Sequence, residues 1–365
     1  MRIYFYTWYA EGKGGLETVL ELLSNELAAR GHEVRVLTMG LTSRADRNWL
    51  KRLPNAIDCS RSRMGMEQRF PQENQVLGAI MDLQNVLSTL PEPDVIISTY
   101  SVNAGIARIA TNHMAKRPKI VSWVHGPLNI LGQPEMLHYA DAHLAISSGI
   151  ADQFRATMPD KPIATVFNPF RQDLDYQVPR SDIPTFLYVG RLDNRQKRVD
   201  VLLRALGRLR DKEFRLKIVG ESILNKGYEE TSLRQLAVQM GIDDRIEWYG
   251  WHENPWEAAG DATCFVMSSD FEGFPMVLGE ALGRGLPVVA SNCVTGPIDI
   301  VIPGENGWLF PPGDDEALAN ILGHIADGRL EMPSQQACVD SIRRFALETV
   351  VDNIEDALQH VVRHL

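Results

Sequence analysis

Short apolar runs alternate with amphipathic stretches along nearly the whole chain, the pattern of buried parallel strands joined by helices. Residues 3–8 read as a first strand and 12–15 as a tight glycine loop. Residues 16–30 read as a helix with Leu16, Val19, Leu20, Leu23 and Leu27 on one face. Gly31 closes that helix as a C-cap, and residues 33–38 form the next strand. Further strands fall at 93–98, 120–124, 141–147 and 162–167, after which the polar stretch 171–184 reads as an interdomain linker. Beyond it the pattern restarts. Strands are predicted at 185–189, 214–219, 245–249, 261–268 and 287–290, with helices at 199–209 and 229–240 and a short helix ending at 281–285. Turn signals at Gly296-Pro297 and at 304–307 precede helical spacing over 316–327, 334–345 and 349–364. The last of these carries Val350, Ile354, Leu358 and Val361 on one stripe. Such a chain is α/β, with two doubly wound halves.

Length agrees: 365 residues exceed the about 250–300 at which a single core stops growing, so two domains are expected. The net charge of −10 argues against general affinity for nucleic acid. Two stretches nevertheless run basic. Residues 44–69 carry Arg44, Arg47, Lys51, Arg52, Arg61, Arg63 and Arg69 against Asp46, Asp58 and Glu67, and no acid stands between Asp94 and Glu135. The basic, amphipathic 44–69 segment is either a solvated loop or a contact for an anionic acceptor or membrane surface, with Arg61 and Arg63 as its candidate contacts. Cys59, Cys264, Cys293 and Cys338 lack metal-ligand spacing, so buried thiols in a reducing compartment and no disulfides are expected. The amino terminus has no cleavage-site pattern and no apolar run reaches the about 20 residues of a membrane span. A cytoplasmic protein is expected, soluble or peripheral on the inner face of the membrane.

Candidate chemistry gathers where strands end. Gly14 and Gly15 follow the first strand, where backbone could approach a phosphate or sugar. A dinucleotide fingerprint fails there, because Glu17 takes the third glycine position and Met39-Gly40 replaces the acid expected after the second strand. His125, before Gly126-Pro127, ends a strand and is either structural or site-forming. Arg191 and Lys197 lie between a strand end and a helix start, where fixed cations could neutralise a diphosphate leaving group without metal. Alone they would be an ordinary basic loop. Glu272 and Glu280, with seven residues between them, flank an apolar turn between strand and helix. Each alone is equally a helix cap or a surface acid. Asp173-Leu174-Asp175 looks like a metal-binding pair but falls in the linker.

Taken together, Gly14-Gly15, His125, Arg191 with Lys197, and Glu272 with Glu280 resemble the family-four retaining glycosyltransferases of GT-B fold. Glu272 to Leu278, Cys293 to Ile300, and Gly250-Trp251 ahead of Asn254-Pro255-Trp256 are similar to enzymes that add galactose to a glucose of the lipopolysaccharide core. Gly279 departs from the pattern, standing where relatives usually carry a bulky apolar residue and loosening the helix that must hold Glu280.

The resemblance implies two Rossmann-like domains with a cleft between them: an acceptor-side domain over 1–170, a nucleotide-sugar domain over 171–345, and a terminal helix, 346–365, packing back on the first. It implies a UDP-sugar donor, a lipopolysaccharide core or other lipid-anchored glycan as acceptor, and neither cofactor nor metal. Glu280 would bond the ribose, Arg191 and Lys197 the diphosphate, and the Gly250-Trp251 loop would lie near the uracil. The backbone of Gly273, Phe274, Pro275 and Met276 would meet the sugar hydroxyls and phosphate. Gly14 and Gly15 would approach the diphosphate, with His125 and Glu272 at the sugar. A UDP-glucose transferase for another surface glycan, a sugar-nucleotide epimerase and a non-catalytic UDP-sugar-binding protein remain the alternatives.

Overall fold

The computed structural model describes residues 1–8, 14–40, 47–60, 75–171, 176–222 and 227–365. The chain divides into two compact units, one made of Met1–Pro169 with Leu347–Leu365 and the other of Phe170–Ala346. In the first, strands β1 (Arg2–Thr7), β2 (Glu33–Thr38), β3 (Ile57–Asp58), β4 (Val95–Ser98), β5 (Lys119–Val124), β6 (Ala142–Ala145) and β7 (Ile163–Thr165) form one sheet in the order β3-β2-β1-β4-β5-β6-β7. Every pairing is parallel. Parallel strands need crossovers, which α1 (Gly15–Ala29), α2 (Arg47–Arg52), α3 (Gln75–Leu87), α4 (Ser101–Ala110) and α5 (Ser148–Thr157) supply. Tyr4, Tyr6, Leu37, Ile96 and Ile120 pack with Leu83, Ala104 and Ala107 in one core cluster.

The second unit repeats the scheme. Strands β8 (Thr185–Val189), β9 (Arg215–Val219), β10 (Ile246–Gly250), β11 (Cys264–Met267), β12 (Val288–Ser291) and β13 (Gly307–Phe310) run parallel in the order β10-β9-β8-β11-β12-β13. Around them lie α6 (Val199–Gly207), α7 (Tyr228–Met240), α8 (Pro255–Ala259), α9 (Met276–Gly283), α10 (Pro297–Ile300), α11 (Asp315–Ala326) and α12 (Gln335–Ser341). The strand order reverses between β1 and β4 in one sheet and between β8 and β11 in the other, and in open α/β sheets ligands bind beyond the carboxyl ends of the strands at such a switch point.

Two features differ from the reading of the sequence. Residues 176–184 are not a free linker but a strap on the second unit. Val178 is buried and its N–H meets the Arg284 carbonyl, Tyr176 donates to the Gly260 carbonyl, and Arg180 donates to the carbonyls of Thr263, Gly285 and Pro333. Sequence polarity concealed this because the arginine spends its charge on backbone acceptors. Gly279, expected to loosen α9, is instead where the Phe170 ring lies, since a Cβ there would come 2.2 Å from Phe170 Cδ1.

The last helix, α13 (Leu347–His364), belongs to the first unit and buries Val350, Val351, Ile354, Leu358 and Val361. Arg30 at the end of α1 reaches Asp352 at 2.6 Å and Glu355 at 2.5 Å, and His32 Nε2 meets the other oxygen of Glu355 at 2.5 Å. Among the described residues no helix is long and apolar enough to cross a membrane.

Candidate active site

The segment that follows β8 is fixed before it reaches α6. The Lys197 N–H closes a turn on the Asp193 carbonyl at 2.6 Å, and Arg198 then takes a left-handed conformation at φ 49. A non-glycine residue is disfavoured there. Its guanidinium is held by Asp200 at 3.0 Å and Asp270 at 2.6 Å, while the buried Ser268 hydroxyl lies 3.0 Å from the Lys197 carbonyl and 2.8 Å from that of Arg198. The segment beyond β11 is fastened to the same place, with the Asp270 N–H on the Gln196 carbonyl at 2.8 Å and the Gln196 amide on the Phe271 carbonyl at 3.2 Å. Thr295 donates its hydroxyl to the Glu272 carbonyl, which ties in the loop after β12.

These constraints bring Lys197 Nζ to 2.7 Å from Glu272 Oε1. The carboxylate is nearly sealed, with Glu272 6% exposed, so the pair is a desolvated one. Arg191 stands on the same segment, exposed, with Nη2 3.2 Å from Gln196 Oε1. The loop then turns into α9. Gly273 is buried, and Phe274 stacks on Phe170 at 5.3 Å and meets Phe345 edge-on at 5.3 Å. Pro275 caps α9 and Met276 begins it; among the described residues no side chain caps its first turn, where the Leu278 N–H meets the Pro275 carbonyl at 3.1 Å. Gly296 lies beneath this turn at φ 92, where a Cβ would come 2.6 Å from Pro275 and 2.9 Å from the Gly273 carbonyl. Any larger residue would push the loop out.

Glu280 sits later on α9. Its Oε2 accepts the Trp256 indole N–H at 3.2 Å, and its carbonyl accepts from Arg284 Nη1 at 3.1 Å. Burial raises the carboxyl above its ordinary range, opposed by Arg284, the indole N–H and Arg171. Gly250 ends β10 at φ 72, and Trp251 beside it is 60% exposed.

In the first unit, Gly14 caps α1 with no side-chain bond, and Gly14 and Gly15 are both exposed. His125 follows β5 with its ring edge-on to Trp123 at 4.2 Å. Burial lowers its pKa to about 3, so the imidazole is neutral at physiological pH. Among the described residues neither His125 Nε2 nor Trp123 Nε1 has a hydrogen-bond partner, although both atoms are buried. Arg61 and Arg63 lie outside the described residues.

The structure thus joins Lys197 to Glu272 directly, sets Arg191 on the same loop, and places Glu280 on the helix that follows. Sequence reasoning passed over Arg198, Ser268, Asp270, Thr295, Trp256 and Arg284. Trp256 and Thr295 fall within the patterns that carry the resemblance, but neither is given a role there. Most of the others carry no local signal because their partners are remote in sequence, as with Thr295 and Glu272 or Arg198 and Asp270, whereas Arg284 stands only four residues from Glu280.

Comparison with known proteins agrees with this architecture. The family described as Glycosyltransferase Family 4 matches residues 13–173, and that described as Glycosyl transferases group 1 matches 172–343. The chain is 32% identical over 337 residues to the lipopolysaccharide 1,6-galactosyltransferase of Salmonella typhimurium, covering 89% of each. The solved apo form of the lipopolysaccharide outer core galactosyltransferase WaaB superposes with a TM-score of 0.83 at 29% identity, over 98% of this chain and 99% of that one. Anabaena HepE in complex with UDP-glucose shares the fold alone, with a TM-score of 0.77 at 18% identity over 98% of this chain and 100% of that one. The chain belongs to the glycosyltransferases of family 4 and group 1, enzymes of GT-B fold built from two doubly wound Rossmann-like units.

Proposed function

We propose that this glycosyltransferase moves a hexose, galactose, from a UDP-sugar to a lipopolysaccharide core or related lipid-anchored glycan, with retention of configuration and without metal. The observation that carries the reading is the Lys197–Glu272 pair at the carboxyl ends of β8 and β11, with Arg191 on the same loop and Glu280 on the helix beyond. The acceptor and the galactose are supported by the Salmonella relative, and the donor class by the UDP-glucose held in the HepE fold neighbour.

In this reading Lys197 and Arg191 take the diphosphate, one as a point charge and the other as a fork. Glu280 takes the ribose hydroxyls, Gly250 and Trp251 flank the uracil, and the backbone at the start of α9 meets the sugar and phosphate. Glu272, already held by Lys197, orients the sugar and steadies positive charge at the reacting carbon. Front-face displacement follows, with the leaving phosphate accepting the proton of the acceptor hydroxyl. In the first unit Gly14 and Gly15 offer backbone to phosphate, and neutral His125 offers a sugar hydroxyl a hydrogen bond rather than a charge. Preorganised groups of this kind contribute about 3–4 kcal/mol each to lowering the barrier. The cations stand in for a metal, and the enzyme works at the cytoplasmic face of the membrane, where Arg61 and Arg63 engage phosphorylated acceptor or anionic lipid.

Calorimetry of Lys197→Ala and Glu280→Ala tests the donor site: each should weaken UDP at least about tenfold while circular dichroism is kept. Undiminished UDP affinity in both sinks the reading. A panel of nucleotide sugars with purified core acceptor, followed by mass spectrometry and NMR of the new linkage, tests galactose and retention. Transfer that persists unchanged in EDTA supports metal independence, and its loss overturns it. Arg61→Glu with Arg63→Glu should weaken liposome or acceptor binding and spare UDP.

A further inference from the structure

Trp256 has no part in that scheme, yet it touches the residue that would hold the nucleotide. Asn254 caps α8 with its side chain and Pro255 opens the first turn, an arrangement that buries the indole to 2% exposure. From there the ring N–H reaches Glu280 Oε2 at 3.2 Å. The Arg284 guanidinium lies over the same ring at 5.2 Å and donates to the Glu280 carbonyl at 3.1 Å, while Phe265 packs against the indole at 5.8 Å. Glu280 is therefore held at both its backbone and its carboxylate. Among the described residues, Oε1 has no protein partner.

We propose that Trp256 is a positioning residue for the nucleotide: its N–H ties Glu280 Oε2 and so turns Oε1 toward the hydroxyl pair of the donor's ribose. The inference rests on Glu280 as the ribose anchor. The terminal torsion of a glutamate is broad and nearly two-fold, so a carboxylate on α9 alone would swivel and meet two vicinal hydroxyls in only part of its range. A single donor on one oxygen removes that freedom. An indole suits the task because it donates and never accepts, so it cannot compete with Glu280 for the hydroxyl protons of the ribose. Its buried ring, backed by Arg284 and Phe265, has little room to turn.

Trp256→Phe removes the N–H and keeps most of the packing. UDP and 2′,3′-dideoxy-UDP are titrated by calorimetry into the wild-type chain, Trp256→Phe, Glu280→Gln and the double variant, with KM and kcat measured on the same proteins. Loss of one hydrogen bond to a charged group should weaken UDP about tenfold and leave dideoxy-UDP unchanged, raising KM with kcat kept. In the Glu280→Gln background the second substitution should add nothing. Full UDP affinity in Trp256→Phe beside a weakened Glu280→Gln overturns the positioning role and leaves the anchor standing. Equal weakening of both nucleotides means packing alone and also overturns it. If Glu280→Gln binds UDP like the wild type, the anchor itself fails and the inference falls with it. Should Trp256→Phe not fold, benzothienylalanine at 256 replaces the N–H by sulfur at nearly constant shape and gives the same readouts.

Discussion

Gly279 shows how one residue can be misjudged from sequence. A glycine inside a helix costs about 1 kcal/mol against alanine, so at this place it reads as a weakness in α9. The packing reverses the sign, because a Cβ would come 2.2 Å from Phe170 Cδ1 and 2.3 Å from Cε1 and Cγ, well inside any tolerable contact. Phe170 cannot retreat easily. It is 2% exposed and packed against both Phe274 and Phe345. Overpacking of that kind costs about 1–3 kcal/mol and should outweigh the gain in propensity. Gly279→Ala should therefore lower the urea midpoint of the second unit, while Phe170→Leu with Gly279→Ala should lose less than the two single effects added. An alanine that stabilises would show the ring to be free to move. The candidate site shares this character. Glu272 and Lys197 could be suspected from their types and their places at strand ends, but the 2.7 Å contact between them depends on Arg198, Ser268 and Thr295, whose roles exist only once the chain is folded.

Among the elements, most strands were legible because parallel strands are buried on both faces and read as nearly continuous apolar runs, as in Cys264 to Met267, whereas the two-residue β3 and the turn-flanked β13 were not predicted. Helices were legible only where one face stayed polar. α4 is composed almost entirely of small and apolar residues and buries seven of its ten positions, so it has no polar stripe to reveal it. α3 follows the basic segment and was lost in its change of character, and α8 has too few residues for a period. The junction at the start of α6 is also invisible in sequence, since an arginine gives no hint of a left-handed backbone. Its physics makes a prediction that separates strain from pairing. Left-handed φ disfavours a residue with a Cβ by about 1–2 kcal/mol, whereas glycine adopts it freely. Arg198→Ala keeps that strain and loses the partly buried links to Asp200 and Asp270, so it should destabilise the second unit by about 1–2 kcal/mol in urea titration. Arg198→Gly loses the same links but relieves the backbone, and should sit measurably above alanine. Equal losses for the two would mean the backbone there relaxes out of the left-handed region.

At the scale of the whole molecule, the two units should respond oppositely to mild acid. In the first, burial holds His143 as well as His125 down to about 3, with Lys161 and His138 lowering His143 further. A histidine whose folded pKa is depressed binds fewer protons than its unfolded counterpart, so its stability is present above about 6.5 and is lost as pH falls toward the folded value. Each should take away about 1.4 kcal/mol per pH unit well inside that window. Glu355 enters later. Burial raises its carboxyl, but the hydrogen bonds from His32 and Arg30 outweigh that and leave it lowered, so its contribution is kept above the ordinary carboxylate value and disappears below it. In the second unit Glu280 works in the other sense, because a carboxyl raised by burial is relieved when it takes up a proton. Between pH 6.5 and 5, therefore, these groups weaken the first unit through its histidines, while the raised Glu280 carboxyl acts in the opposite sense on the second unit as it takes up its proton. Hydrogen exchange read by mass spectrometry over that range should lose protection in β5, β6 and α13 before β8, β11 and β12. His125→Gln with His143→Gln should flatten the pH slope of the first unit even if it lowers stability at pH 7. Glu355→Gln should leave the slope above pH 5 unchanged and loosen α13 throughout pH 6.5 to 5, with UDP affinity kept. Simultaneous loss of protection in both units would mean that they unfold as one cooperative body, and the separate assignment of these groups would fail.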